Sequence, residues 1–223
     1  MHKSNFVIFL AELAGTFGLL VATTGSIVYD GSIGGVLGIG FIVAMHFVGI
    51  SLMIILFGKY SMAHFNPAVT VGLFAAKYIP AKQLPLYVSA QAIGALLGSL
   101  FVKYVLGDYA NLGLNSPNYL YAPSLFFVVE ILATMFLMGS ILIAINVRHL
   151  QLVFISIIIS GTVALDVYFL GPISGASMNP IRSLMPSLFT NMTGDLWLYW
   201  TAPFIGSIIV AMVFNRMSRK KIL

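Results

Sequence analysis

The chain has no cysteine and very little charge. None of its 223 residues is Cys, and only 8% are Asp, Glu, Lys or Arg. The first absence excludes a disulfide framework and a thiolate metal site. The second excludes a soluble domain of this size, which needs a charged surface. The four histidines are scattered and have no carboxylate cluster beside them, so no metal centre is expected. Walker loop, dinucleotide fingerprint and nucleophile–base pair are all missing, and neither a cofactor nor an enzyme activity is expected.

What the chain does have is apolar length. Hydrophobic residues make up 60% of it, and the mean hydropathy is +1.02. Six runs reach the roughly 20 apolar residues that cross a bilayer. They lie near 6–28, 35–57, 84–106, 123–146, 150–170 and 195–215. The first run contains Glu12 and no small-residue cleavage site, so it is read as a span rather than a removed signal peptide. The expectation is an all-α integral membrane protein.

The net charge of +5 would suit an anionic partner, but its distribution rejects nucleic acid. With the N-terminus inside, Lys3, Lys59, Lys77, Lys82, Arg148, Arg216, Arg219, Lys220 and Lys221 all fall on the cytoplasmic side. Asp30, Asp108, Asp166 and Asp195 fall at the outer ends. This is the positive-inside pattern, and an even number of spans puts both termini in the cytoplasm. The short termini fit a prokaryotic plasma membrane.

The chain also repeats itself. AELAGT in the first span, with Glu12, matches VEILAT in the fourth, with Glu130. HFNPAVT at 64–70 matches GASMNPIRS at 175–183. Three spans per repeat is an odd number, so the halves, about 1–110 and 120–223, have opposite orientation within one transmembrane domain. Inverted halves of this kind place a site at the midplane, where broken helices meet. Asn66 and Asn179 are favoured helix caps, and Pro67 and Pro180 suit the first helical position. The segments PAVTVGLFAAKY and PIRSLMPSLFT that follow are too short to span. Each reads as a half-helix dipping into the membrane, which is tolerated only where it lines a watery cavity.

With these two motifs the sequence resembles the aquaporins, of the major intrinsic protein family, over nearly its whole length. The resemblance implies six transmembrane helices, two re-entrant half-helices, one pore per chain and a homotetramer. It places Asn66, Pro67, Ala68, Asn179, Pro180 and Ile181 at the pore centre, with Ile181 where the family usually has Ala. The two asparagine amides are expected to donate to the permeating molecule. Family spacing gives a selectivity filter of His46, Val167, Ala176 and Arg182. That set is similar to plant vacuolar-membrane aquaporins, several of which pass ammonia or other small neutral solutes. His64 is expected to line the cytoplasmic half of the pore. Glu12 and Glu130 are expected to hold the two loops by accepting backbone N–H groups, with a proton relay as the alternative. Ser183 after Arg182, and the Tyr199-Trp200 pair, are closer to the family's water channels than to its glycerol channels.

Several functions stay open at this point. The leading one is a passive channel in the bilayer for water, with ammonia and similar neutral solutes as further candidates, that excludes protons and ions. A glycerol or small-polyol facilitator and a closed structural protein on the same fold are the alternatives. A coupled transporter is less favoured, because the centre offers Asn, carbonyls and Arg rather than acids.

Overall fold

The computed structural model describes residues 4–220. Lys3 and Lys221 of the charge count lie outside them. Among the described residues, six helices are long and apolar enough to cross a membrane. They are α1 (Asn5–Ser32), α2 (Gly38–Ser61), α4 (Leu84–Phe101, continued by a π-helical turn at Val102–Leu106), α5 (Pro123–Asn146), α6 (Leu152–Phe169) and α9 (Leu196–Lys220). Between them lie two short helices, α3 (Pro67–Ala75) and α8 (Pro180–Thr190), and a single turn, α7 (Gly171–Ser174). There is no strand among the described residues. Observed and expected spans agree to within a few residues.

The helix ends follow local chemistry. Ser4 caps α1 by accepting from the Phe6 N–H, and Pro123 opens α5. Asp30 near the end of α1 caps the next helix: its Oδ1 accepts from the N–H groups of Leu37 at 2.8 Å and Gly38 at 3.2 Å. Expected to run for twelve residues, α3 stops at Ala75, because Lys77 takes a left-handed conformation with φ 68°.

Packing is closest where glycines meet another helix. A Cβ on Gly94 of α4 would sit 2.3 Å from the Leu13 carbonyl oxygen of α1. A Cβ on Gly206 of α9 would sit 2.5 Å from the Ile131 carbonyl oxygen of α5. Both glycines also face a threonine, Thr16 and Thr134 respectively. The same contact thus recurs in both halves and lets backbones approach, as small residues do in membranes. The outward faces carry exposed large apolar side chains, among them Val48, Leu165 and Phe169, as a lipid-facing surface requires. The short helices α3 and α8 and the loops before them fill the middle of the bundle.

Candidate functional site

Each half-helix begins at a capping asparagine. Asn66 has extended backbone, and its Oδ1 accepts from the N–H groups of Ala68 at 2.8 Å and Val69 at 3.5 Å. Asn179 does the same with the Ile181 N–H at 3.2 Å. The carbonyl end of each amide is therefore used on its own helix. The nitrogen end crosses to the other loop: Asn66 Nδ2 donates to the Met178 carbonyl at 2.8 Å, and Asn179 Nδ2 to the Phe65 carbonyl at 3.0 Å. One of the two hydrogens on each amide is thus committed to the fold, and the other is left over. With their N-termini joined in this way, α3 and α8 bring two positive dipole ends together.

The loops that deliver the asparagines are strained alike. Met62, Ala63 and Phe65 have positive φ, and so do Gly175, Ala176 and Met178. For residues with a side chain such backbone is costly and persists only when its surroundings hold it. Buried carboxylates do the holding. Glu12 Oε1 accepts from Ser61 Oγ at 2.6 Å and the His64 N–H at 2.9 Å; its Oε2 accepts from the Phe65 N–H and Gln91 Nε2, each at 2.8 Å. Glu130 accepts from the Met178 N–H and from Ser174 Oγ at 2.9 Å. A tyrosine hydroxyl braces each loop from the far side. Tyr87 donates to the Ser61 carbonyl at 2.8 Å and Tyr199 to the Ser174 carbonyl at 2.7 Å. Tyr199 is fully buried, as a loop brace requires.

A cavity of about 220 Å3 runs past both asparagines. At the end of the bundle that carries the chain termini its wall includes Gly58, Met62, Ile145 and Leu152; further in come His64, Asn66 and Asn179, with His46, Ala176 and Arg182. The polar groups are few and the remaining wall is apolar, the usual make-up of a small-molecule site. Five residues expected at the pore are not on this wall: Pro67, Ala68, Pro180, Ile181 and Val167. The prolines, Ala68 and Ile181 are the buried first turns of α3 and α8. Ile181 is 2% exposed, packs in the central apolar cluster and is not among the residues that line the cavity. Val167 and Val163, one helical turn earlier, are both in that cluster, but only Val163 also lines the cavity. Glu12 and Glu130 stand behind the loops.

Three polar side chains fix the chemistry of the wall. His46 Nδ1 lies 2.8 Å from the Ile42 carbonyl. A carbonyl only accepts, so Nδ1 carries the hydrogen and, in the neutral ring, Nε2 is an acceptor. His64 Nδ1 lies 3.1 Å from Thr70 Oγ1, whose own hydrogen goes to the Asn66 carbonyl at 2.9 Å. The ring is stacked on Tyr87 at 4.2 Å between centroids. Arg182 is buried, and its partner is neutral: Nη1 donates to Oδ1 of Asn115. Asn115 was not singled out from the sequence, and neither were Gln91, Ser61 and Ser174. Their one legible signal was the matching positions of Ser61 and Ser174 ahead of the two NP motifs.

Comparison with known proteins fits this geometry. The family model described as "MIP: Major intrinsic protein" matches residues 1–214. Aquaporin NIP3-1 of Arabidopsis thaliana is 34% identical over 95% of this chain and 68% of its own length. Nodulin-26 of Glycine max is 32% identical over 92% of this chain and 76% of its own. The fold is similar to the X-ray structure of the aquaglyceroporin from Plasmodium falciparum, with a TM-score of 0.84, 20% identity and 96% of each chain covered. The chain belongs to the major intrinsic protein family. It is an integral membrane channel protein of the aquaporin kind, and members of this family are passive channels rather than enzymes.

Proposed function

We propose that the protein is a passive water channel that also admits small neutral solutes and excludes protons and ions. One observation carries this reading: two capping asparagines, from opposite half-helices, line a single narrow apolar cavity. Each has one amide hydrogen still to give. A water accepting from both must turn its own hydrogens away from the centre, which breaks a proton wire. The paired helix N-termini repel cations at the same spot.

In this reading His46, Ala176 and Arg182 form the filter, with Val163 supplying the side that Val167 was expected to supply. Glu12 and Glu130 hold the loops and relay no protons; their oxygens are occupied by loop donors. The chain is one channel domain of two inverted halves, 1–110 and 120–223. It assembles as a homotetramer in the plasma membrane with both termini cytoplasmic. The positive-inside pattern supports that orientation.

A glycerol facilitator is the second reading, since the structural neighbour is an aquaglyceroporin. Stopped-flow light scattering of reconstituted vesicles separates the two. Fast water flux with little glycerol flux supports the water channel, and comparable glycerol flux moves the protein to the facilitators. No water or glycerol flux above empty vesicles, from folded protein, rejects both.

A further inference from the structure

Asn115 lies in the connection between α4 and α5, yet it is only 4% exposed. All of its polar contacts run to the second half of the chain. Oδ1 accepts from Arg182 Nη1 and from Ser183 Oγ at 2.8 Å, while Nδ2 donates to the Gly175 carbonyl at 2.7 Å. The residues after it are tied down in the same direction. The Asn118 N–H donates to the Ile173 carbonyl at 3.0 Å, and Asn118 Nδ2 to the Pro172 carbonyl at 3.3 Å. Ser116 and Tyr119 both donate to Asp195. Ser183 in turn lies 2.6 Å from Ser177 Oγ, beside Asn179. A connection between helices thus becomes a strap, and its Asn115 side chain is the only partner of the Arg182 guanidinium among the described residues.

We propose that Asn115 is the positioning residue that holds Arg182 against the wall and so keeps the filter open. The inference rests on the reading of the cavity as a water-conducting pore. Its logic is one of competing acceptors. A buried guanidinium has five N–H groups and seeks oxygen or nitrogen lone pairs. Two side-chain acceptors compete for it: Asn115 Oδ1, which stands behind the wall and holds Arg182 there, and Nε2 of His46, a residue that lines the same cavity as Arg182. Asn115 is itself fixed by Ser183 and Gly175, so the first contact is preorganised. Without it, the guanidinium turns to His46 and the two side chains close the lumen between them. Asn115 touches no permeant; it acts through Arg182.

The test compares osmotic water flux in vesicles holding equal amounts of wild type, Asn115→Leu, His46→Val and Asn115→Leu/His46→Val, with folding checked by monodispersity and helical circular dichroism. Asn115→Leu is expected to lose at least about fivefold of the flux above empty vesicles. The double variant is expected to recover at least half of the His46→Val flux, a rescue that a purely structural role for Asn115 does not produce. Flux in Asn115→Leu within about twofold of wild type overturns the proposal. So does a double variant as slow as Asn115→Leu. If the leucine variant does not fold, Asn115→Asp carries the test, since it keeps the acceptor. Flux within about twofold of wild type supports the proposal, and a folded protein no faster than empty vesicles overturns it. A wild type without flux fails the channel reading itself, which the wild-type arm shows separately.

Discussion

Asn66 and Asn179 each hold the loop that carries the other. The amide of Asn66 donates to the Met178 carbonyl at 2.8 Å, and that of Asn179 to the Phe65 carbonyl at 3.0 Å. Each also caps its own half-helix, Asn66 with two N–H acceptor contacts and Asn179 with one. Loss of a cap costs about 1 kcal/mol, and loss of a buried crosslink adds about as much. Asn66→Ala is therefore expected to lower thermal stability in detergent, and to lower it more than Asn179→Ala does. Equal stability of both variants and wild type would show the crosslink to be energetically idle.

Glu12 accepts four hydrogen bonds from the first loop and its neighbours. Glu12→Gln replaces an accepting oxygen by a donating NH2 and leaves at least one buried donor without a partner, a cost of about 1–3 kcal/mol. Folded yield should drop while the water-to-glycerol permeability ratio of the surviving protein stays put. Normal yield together with a new pH dependence of permeation would instead favour the proton relay.

Gly94 and Gly206 tolerate no side chain without helix movement, since the added Cβ would meet a carbonyl oxygen at 2.3 and 2.5 Å. Gly94→Ala and Gly206→Ala are each expected to cost about 1–3 kcal/mol through overpacking. Gly139, whose added Cβ meets nothing within 4 Å, is the control, with a change of no more than about 0.5 kcal/mol. Thermal unfolding of the purified protein gives the comparison.

Ile181 packs into the core and not the lumen. Ile181→Ala should leave a cavity costing about 2–5 kcal/mol without changing the ratio of water to glycerol flux. A clear rise in relative glycerol flux would mean that this side chain does set the pore width.

Arg182 lies on the cavity wall with Asn115 as its partner. Arg182→Val removes a charge and several donors from that wall. The expected outcome is a severalfold rise in glycerol flux relative to water, read by light scattering on the same vesicles. An unchanged ratio would place the selectivity elsewhere along the cavity.

The sequence by itself determined the spans, their order and the two half-helices. These follow from local rules: apolar length sets a membrane helix, and Asn followed by Pro sets a helix start. Glu12 and Glu130 were legible as well, because a carboxylate inside an apolar run has to find donors. What only the tertiary structure decided is which side chains meet. Val163 and Val167 lie on one stripe of α6, four residues apart, and helical periodicity cannot separate them; only the packed structure puts Val163, and not Val167, on the cavity wall. Ile181 sits at the motif's third position, and only the packed structure shows it buried in the apolar cluster rather than on the cavity wall. Asn115 carries no motif at all. It meets Arg182 only because the α4–α5 connection folds over the second loop, 67 positions away in the chain, and no short-range pattern encodes a contact at that separation.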